Sequence, residues 1–535
     1  MFTAITGLSV RGSEGLRVSA SLVAAAVSSV LLTNPAVLAS ASRPAPLTRG
    51  DLRWLSRVTY GADSAAVAEY RRVGREKFLD EQLHAPATDS GDLAKAIAAL
   101  SVSGQSAEAR IRWNRTEQQR INGLPTEDAK QQARMAFNQA GNQWVYETSR
   151  RHLMRALRSS AQLREQMTWF WMNHFSVFSG KANVRWTLPE YEDQSIRVHA
   201  LGSFRDLVRA SLTSPAMLEY LDNAQSSAGK INENYARELM ELHTLGVSGG
   251  PSGSHYTQQD VQELSRVLTG VGINFTDNTP QFPPAKKALY IRRGLFEFNP
   301  NRHDMGEKTV LGTKIHGKGF DEVEEAVTLL CRQPATARFI STKLAQYFVA
   351  DDPPPALVDR MARTFEKTDG SISAVLKTMF LDKDFAKALD APEPKLEKFK
   401  DPMQFVVSSL RLAYEDKTLT NYRPIVNWLN ALGEPLYGRV TPDGYPLTEP
   451  SWTSSGQLVR RFEIARAIGS GNAGLFNAED NTPGPATGFP MLTSRLFYDS
   501  IQPALGVKTR VALDKTATQQ EWNTILLASP DWMQR

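Results

Sequence analysis

The stretch NENYARELMELHTLGV, residues 232–247, carries the densest group of charged and polar side chains in the chain. Its apolar residues recur at helical spacing, so we expect a helix that buries one face. At about 100° per residue, the acids, the arginine and Asn234 share the other face. His243 falls on the apolar side with Leu239 and Met240. We therefore predict that His243 is a core residue and not a partner of the acids.

The polar face of this segment has two interpretations. On a surface, Glu233–Arg237 and Arg237–Glu241 are i,i+4 pairs worth about 0.2–0.5 kcal/mol each. Lining a cleft, Arg237 would keep two carboxylates ionised and leave Glu238 free for proton transfer or metal binding. The catalytic candidates from this face are Glu238, Glu241 and Arg237.

Aromatic side chains surround a second candidate, His174, in the segment WFWMNHF at residues 169–175. Each ring hides about 150–250 Å² when it is buried, so the segment is expected to lie largely in the core. His174 is then either a hydrogen-bonded core residue or a neutral imidazole at a cleft wall. In the second position it would serve as a base or a metal ligand.

A third candidate pair, His303 and Asp304, lies in the segment NPNRHDMGEK at residues 299–308. Alternation over residues 288–299 and the run 309–312 predict a β-hairpin, and this segment would form its loop. A loop on a rigid scaffold is a common place for a ligand or base. A plain polar turn explains the segment equally well.

Helical periodicity dominates the rest of the chain. The predicted fold class is predominantly α, a multi-helix globular body with one small β-hairpin near residues 288–312. We divide the chain into a signal peptide at 1–41, a main helical domain at 47–470, and a C-terminal loop and helical extension at 471–535.

The N-terminus has the order of a Sec-type signal peptide. Arg11 and Arg17 precede an apolar run at residues 18–32, and small residues offer cleavage near Ala39 or Ala41. The alternative is an uncleaved membrane anchor. No other stretch reaches 18 uninterrupted apolar residues, so no stable membrane span is expected after cleavage. The expected location is periplasmic or secreted.

Charge and motif content exclude several classes of function. The net charge of +5 arises from 62 basic and 57 acidic residues without a basic, aromatic-rich cluster, so no nucleic-acid partner is expected. A Gly-x-Ser-x-Gly elbow, a phosphate loop and a His-Glu-x-x-His motif are all absent from the sequence. The single cysteine, Cys331, excludes an intramolecular disulfide and sits in an apolar run typical of a core.

The three candidate segments, in this order, resemble motifs of the bacterial family catalogued as domain of unknown function 1800. The similar segments are FWMNHF (170–175), ALGSFRDL (200–207), SPAML (214–218), YLDN (220–223), NENYARELMELHTLG (232–246), YTQQDV (256–261), LTG (268–270), RHDMGEK (302–308), PATARFI (334–340) and LGEPLY (432–437). The resemblance implies a predominantly helical exported protein and, loosely, an exported sulfatase-like partner. It implies no settled reaction.

By this resemblance, the polar motif positions of the family fall on His174, Glu233, Arg237, Glu238, Glu241, His303 and Asp304. Two positions depart from the family pattern. Met172 stands where the family commonly has His, which weakens the case for a site with two histidines. His243 stands where the family has an aromatic residue, which supports its assignment to the core.

Together these residues predict an exported enzyme, a metal-dependent hydrolase or oxidoreductase that acts on an envelope polymer or a small extracellular molecule. Its catalytic residues would be Glu238, Glu241, Arg237 and His174. Its metal ligands would be Glu238, His174, His303 and Asp304, a donor set that suits a divalent ion with an open coordination position. The alternative is a non-catalytic envelope scaffold, or an assembly partner of an exported sulfatase-like protein.

Overall fold

Short polar residues in front of apolar-periodic runs start many helices of the protein. The computed structural model describes residues 47–247, 256–391, 396–415, 417–480, 482–484 and 488–535, so the predicted signal peptide lies outside the described residues. Thr48 and Asp51 form a reciprocal capping box, and Thr126 caps a 32-residue helix. The first helices are α1 (Arg49–Val58), α2 (Ser64–Val73), α3 (Arg75–Leu83), α4 (Gly91–Ala98), α5 (Ser101–Gly104), α6 (Ala107–Asn122), α7 (Glu127–Arg158) and α8 (Gln162–His174).

The middle of the chain mixes α-helices with π-helical turns. In order, the elements are α9 (Val184–Glu190), π1 (Tyr191–Arg197), α10 (Phe204–Leu212), α11 (Pro215–Tyr220), a 3₁₀ turn (Asn223–Gln225), α12 (Asn234–Glu238), π2 (Leu239–Thr244) and α13 (Gln258–Val267). The last helix begins at a capping box of Thr257 and Asp260, a Thr-x-x-Asp pattern that indicates a helix start in the sequence. The prediction of one α-helix over residues 232–245 is only half right, since its second part is π2.

A small β region follows. It contains β1 (Val271–Ile273), a short helix α14 (Pro284–Lys287), β2 (Ile291–Arg293), β3 (Phe296–Phe298), β4 (Thr309–Val310) and β5 (Thr313–Lys314). The first sheet is antiparallel in the order β1-β3-β2, and Phe298 stands opposite both Val271 and Ile291. The second is the hairpin of β4 and β5. The pairing differs from the prediction, because Thr309–Val310 pairs with Thr313–Lys314 and not with residues 288–299. The segment with His303 therefore connects the two sheets and is not the loop of one hairpin.

The C-terminal third is again helical. Its elements are α15 (Phe320–Cys331), α16 (Pro334–Phe348), α17 (Pro355–Lys367), α18 (Ile372–Phe380), α19 (Lys383–Asp390), α20 (Pro402–Tyr414), α21 (Arg423–Ala431), a 3₁₀ turn (Glu449–Ser451), α22 (Ser455–Ser470), π3 (Phe497–Ile501), a 3₁₀ turn (Gln502–Ala504), α23 (Val507–Asp514), α24 (Gln519–Ala528) and α25 (Pro530–Met533). Helix α24 packs along α22. The division at residue 470 into a main domain and an extension stays a prediction.

Large aromatic side chains anchor the core that these helices share. Trp54 and Trp171 are fully buried, and their indole N–H groups donate to the carbonyls of Phe380 (2.9 Å) and Ala200 (3.0 Å). Such bonds let a buried Trp satisfy its one polar group. The predicted fold class, predominantly α with a small β element, is confirmed. Among the helices of the described ranges, none has the length and apolarity that crossing a membrane requires.

Candidate active site

The segment 232–247 buries the face that its sequence predicts. Tyr235, Met240 and His243 are buried, whereas Arg237 and Glu238 are partly exposed. From Leu239 the segment continues as π2, and short π-helical turns occur frequently at functional sites. The segment ends at Gly246 with φ of +83°, where a Cβ would lie 3.0 Å from the ring of Phe339. Glycine is therefore required at this close approach.

Glu238 is the least constrained acid of this segment. Its carboxylate forms no hydrogen bond or ion pair with any residue that the structure describes. Burial raises its pKa, the charges of Glu241 and Asp443 raise it further, and Arg237 opposes them. A half-buried carboxyl group with a raised pKa and no partner is suited to hold and release a proton.

Asp443 is the opposite case. Burial raises its pKa, but hydrogen bonds from Arg439 (2.8 Å) and Thr441 (2.5 Å) outweigh that effect, so the net pKa is lowered. Its charge acts on Glu238, and burial and then the charges of both carboxyl groups raise the pKa of Tyr220, so the two acids lie near one another. Two neighbouring acids whose environments push their pKa values apart are the usual arrangement of an acid and a base in catalysis.

Sequence reasoning missed Asp443, which lies in a Pro/Gly-rich loop far downstream of Glu238. We call residues 437–445 the Asp443 loop. Tyr220 holds it by donating from its hydroxyl to the carbonyl of Val440 (2.7 Å). Asn173 holds it by accepting from the amide of Tyr445 (2.5 Å) and donating to the carbonyl of Tyr445 (2.9 Å). The motif segments of residues 170–175 and 220–223 thus both position this loop.

The start of the Asp443 loop is strained. Tyr437 has φ of +57°, a left-handed conformation that is uncommon for a bulky residue. Its hydroxyl donates to the buried carboxylate of Glu192, and its carbonyl accepts from the amide of Ser179 (3.0 Å). Such strain persists where the surroundings over-determine the conformation, often at functional sites.

Arg237 and Glu241 differ from the predicted ladder. Arg237 contacts Glu233 (3.4 Å) and the side-chain oxygen of Gln258 (2.8 Å), and Gln258 donates in turn to Glu233 (2.7 Å). Glu241 accepts a hydrogen bond from Tyr256 instead of pairing with Arg237. The structure therefore brings together Glu238, Glu241 and Arg237, with a polar surface of Glu233, Arg237 and Gln258 beside them.

His174 lies in the aromatic core. Its Nε2 is 3.1 Å from the carbonyl oxygen of His243, and its Nδ1 is buried without a partner among the described residues. The rings of Phe170, Trp171, Phe175, Phe204, His243 and Phe339 surround it. Burial, followed by the charges of Lys343 and His243, lowers its pKa well below the ordinary value. Its polar contact is thus to the backbone of π2, not to Glu238.

His303 and Asp304 also have neighbours of their own. His303 is buried, with Nδ1 2.7 Å from the carbonyl oxygen of Thr269 and Nε2 3.4 Å from Glu322. Asp304 accepts two hydrogen bonds from Arg266 (3.0 and 3.2 Å). These contacts tie the loop between the sheets to α13 and α15. Over the described ranges, no group of three or more His, Cys, Asp or Glu side chains has a metal-binding arrangement.

A lysine that the sequence did not single out lies near the Asp443 loop. Lys343 on α16 places its ammonium 5.5 Å from the ring centroid of Phe339. Burial lowers its pKa to about 8, although the charge of Asp443 opposes the shift. An amine with such a pKa exchanges protons readily near neutrality. Lys343 is therefore a second proton-carrying group beside Asp443.

A large cleft lies elsewhere. It has a volume of about 1200 Å³ and is bordered by α4, α5, π1 and β3, without any residue of the segment 232–247. Several of its charged residues are paired: Arg155 contacts Asp89 (2.9 Å) and Asp193 (2.5 Å), for example. Large pockets are the default choice for an active site. We favour the Glu238 site, because the carboxylate of Glu238 forms no ion pair with any residue that the structure describes.

Comparison with known proteins adds a family and no function. A model of the family described as protein of unknown function (DUF1800) matches residues 53–534. Among curated proteins and among solved structures, none matches the chain. The family match covers the helical body, the Asn232–Val247 segment and the Asp443 loop. The chain belongs to the DUF1800 family.

Proposed function

We propose that the protein is a hydrolase that uses Glu238 as general acid and Asp443 as general base. The opposite pKa shifts of these two neighbouring carboxyl groups carry the proposal. At a pH between the lowered pKa of Asp443 and the raised pKa of Glu238, Glu238 is protonated while Asp443 is ionised. These are the states that an acid and a base need in order to act together.

The reaction is the hydrolysis of a C–O bond. Asp443 accepts a proton from water as the water oxygen bonds to the substrate carbon. Glu238 gives its proton to the leaving oxygen as the C–O bond breaks. The extra proton on Asp443 then returns to Glu238 through solvent, which restores both groups. Glu241 raises the pKa of Glu238, Arg237 lowers it, and Lys343 supplies positive charge beside Asp443.

We propose an envelope glycan as the substrate class. Two carboxyl groups in an acid and a base role are the usual machinery of glycoside hydrolysis. The exposed amide, guanidinium and carboxylate of Gln258, Arg237 and Glu233 offer donors and acceptors suited to sugar hydroxyls. The predicted signal peptide supports an extracytoplasmic polymer. The divalent metal, the oxidoreductase alternative and the sulfatase-like partner stay predictions.

The test is the release of reducing ends from isolated envelope glycans by the purified protein. We expect Glu238→Gln and Asp443→Asn each to lower kcat by about 10²–10⁴-fold, because each removes one proton transfer. Glu307→Gln, at an exposed acid paired with Lys314, is the matched control and should keep the wild-type rate.

The pH profile sharpens this test. Activity should fall as the pH rises through the raised pKa of Glu238 and as it falls through the lowered pKa of Asp443. Asp443→Asn should remove the acidic limb, and Glu238→Gln the basic limb, from the residual activity. A folded Glu238→Gln variant with the wild-type rate would refute the assignment. A folded wild type that is inactive on every glycan would favour the scaffold alternative.

A further inference from the structure

Polar and charged side chains line one part of a small cavity between α1 and the C-terminal helices. Its volume is about 250 Å³. Leu52, Ile501 and Leu505 form an apolar wall, and Lys400 and Gln534 contribute polar groups. Pockets for drug-sized ligands measure about 300–1,000 Å³, so this cavity suits a smaller molecule.

Lys400 is a buried cation without a hydrogen-bond acceptor. Its residue is 4% exposed, and its ammonium lies 3.8 Å from the ring centroid of Trp532. No residue within the described ranges accepts a hydrogen bond from this ammonium. An ammonium group has three donors, so Lys400 can still bind an anion.

Two carboxylates line the cavity, those of Glu397 and Asp531, and neither accepts a hydrogen bond from Lys400 in the described structure. Asp531 instead accepts hydrogen bonds from the amide of Gly506 (3.1 Å) and the hydroxyl of Thr509. The indole N–H of Trp532 donates to the hydroxyl of Ser409 (2.9 Å), which fixes the ring under Lys400. The cation and its aromatic platform are therefore held in place while its donors stay unused.

Basic side chains outnumber carboxylates at this cavity, with Arg53, Lys400 and Arg535 against Glu397 and Asp531. Burial lowers the pKa of Lys400 well below the ordinary value, and the charges of Arg535 and Arg461 lower it further. Arg53, which borders the same cavity, donates to the carbonyl of Leu389 (3.2 Å) and forms no ion pair in the described part of the chain. The side-chain oxygen of Gln534 is buried without a partner among the described residues. A ligand with one negative charge would relieve this imbalance.

We propose that this cavity binds a small organic monocarboxylate, with its carboxylate on Lys400 and its apolar body against Leu52, Ile501 and Leu505. A single charge fits, because the one uncommitted ammonium is faced by a largely apolar wall. This site is independent of the proposed hydrolysis at Glu238. A negative result at one of the two sites therefore does not bear on the other.

Isothermal titration calorimetry on the purified protein tests the proposal. The probes are benzoate and cinnamate as aromatic acids, hexanoate and octanoate as aliphatic acids, and cinnamamide as a neutral isostere. We expect at least one acid to bind with 1:1 stoichiometry. The acid class with the higher affinity, aromatic or aliphatic, shows which kind of ligand the cavity prefers. If aromatic acids bind more tightly, cinnamamide should bind at least tenfold more weakly than cinnamate. If aliphatic acids bind more tightly, hexanamide should bind at least tenfold more weakly than hexanoate.

The variant Lys400→Met separates the ammonium from the cavity. It keeps the length of the side chain, and replacing a buried cation by an apolar residue commonly leaves the fold intact. We expect at least a tenfold loss of affinity for the preferred acid, whereas the exposed control Lys287→Met should bind like the wild type. Equal binding of acid and amide, unchanged affinity in Lys400→Met, or no binding of any acid at millimolar concentration would overturn the proposal.

Discussion

Two charged regions of the molecule use the same residue types in opposite ways. Around π1, Glu165 pairs with Arg197 (2.6 Å), and Glu192 contacts His152 (3.1 Å) and accepts a hydrogen bond from Tyr437. Both carboxylates are buried. In the segment 232–247, Glu238 is half-buried and has no such partner in the described structure.

The difference separates structural charge from reactive charge. A buried acid that is fully paired cannot accept a substrate proton without breaking the contacts that made its burial tolerable. An unpaired acid at a partly exposed position can change its protonation state at little structural cost. Residue type therefore does not single out Glu238, whereas its lack of an ion-pair partner among the described residues does.

The largest expected effect is on the paired region. Arg155→Met removes one of the two arginines at Asp89 and at Asp193, and one of the positive charges near Glu192. Asp89 keeps Arg197 (3.3 Å) and Asp193 keeps Arg151 (2.9 Å), so we expect the free energy of unfolding to fall by about 3 kcal/mol, the lower end of the range for breaking a buried pair. Urea denaturation measures this loss. Arg72→Met, at an exposed ion pair with Glu69, is the control and should change stability by less than about 0.5 kcal/mol.

A stability loss below about 1 kcal/mol in Arg155→Met would break the comparison. The network around π1 would then be as tolerant as a surface, and its acids would become candidates for the chemistry. The 1200 Å³ cleft beside them would gain in importance accordingly.

A smaller effect is expected at Asn173, which anchors the Asp443 loop through Tyr445. Asn173→Ala removes two hydrogen bonds to Tyr445, each worth about 0.5–1.5 kcal/mol. We expect a loss of about 1–3 kcal/mol in the free energy of unfolding and about tenfold in kcat, because the Asp443 loop loses its anchor. A positioning role further predicts that the acidic limb of the pH profile moves.

The variant Asn173→Asp tests whether that effect arises from the anchor. It keeps the oxygen that accepts from the amide of Tyr445 and loses the donor to the carbonyl. We expect it to recover part of the activity lost in Asn173→Ala. Identical pH profiles for wild type and Asn173→Ala, measured at equal folded fraction, would show that the loop does not position Asp443.

Local sequence signals predict the helical fold well, because caps and periodicity act over a few residues. The box of Thr257 and Asp260 is an example that the structure confirms. Strand pairing was harder. The partner of Phe298 is Val271 in a three-residue strand, too short to give an alternating pattern, so the sequence suggested residues 309–312 instead. The π-helical second half of the key segment also has no distinct local signal.

The candidate site was predictable only within one element. The helical wheel grouped Glu238, Glu241 and Arg237 correctly and placed His243 in the core. It contained no information about Asp443 or Lys343, whose proximity depends on tertiary packing. For His174 the aromatic neighbours indicated the core, and the structure agrees with that interpretation. Asn173, its direct neighbour, provides the link to the Asp443 loop.

The smallest expected effect on stability distinguishes the two regions most sharply. Arg237 is an arginine beside acids, as Arg155 is, but its pair with Glu233 is exposed and 3.4 Å long. Arg237→Met should therefore change the free energy of unfolding by less than about 0.5 kcal/mol. Its functional effect has a definite sign. Arg237 lowers the pKa of Glu238, so its removal raises that pKa and should shift the basic limb of the activity profile to higher pH. Urea denaturation and the pH profile of kcat measure both quantities on one variant. A large stability loss with an unmoved basic limb would mean that the arginines of both regions serve the fold, and that Glu238 is not the proton donor.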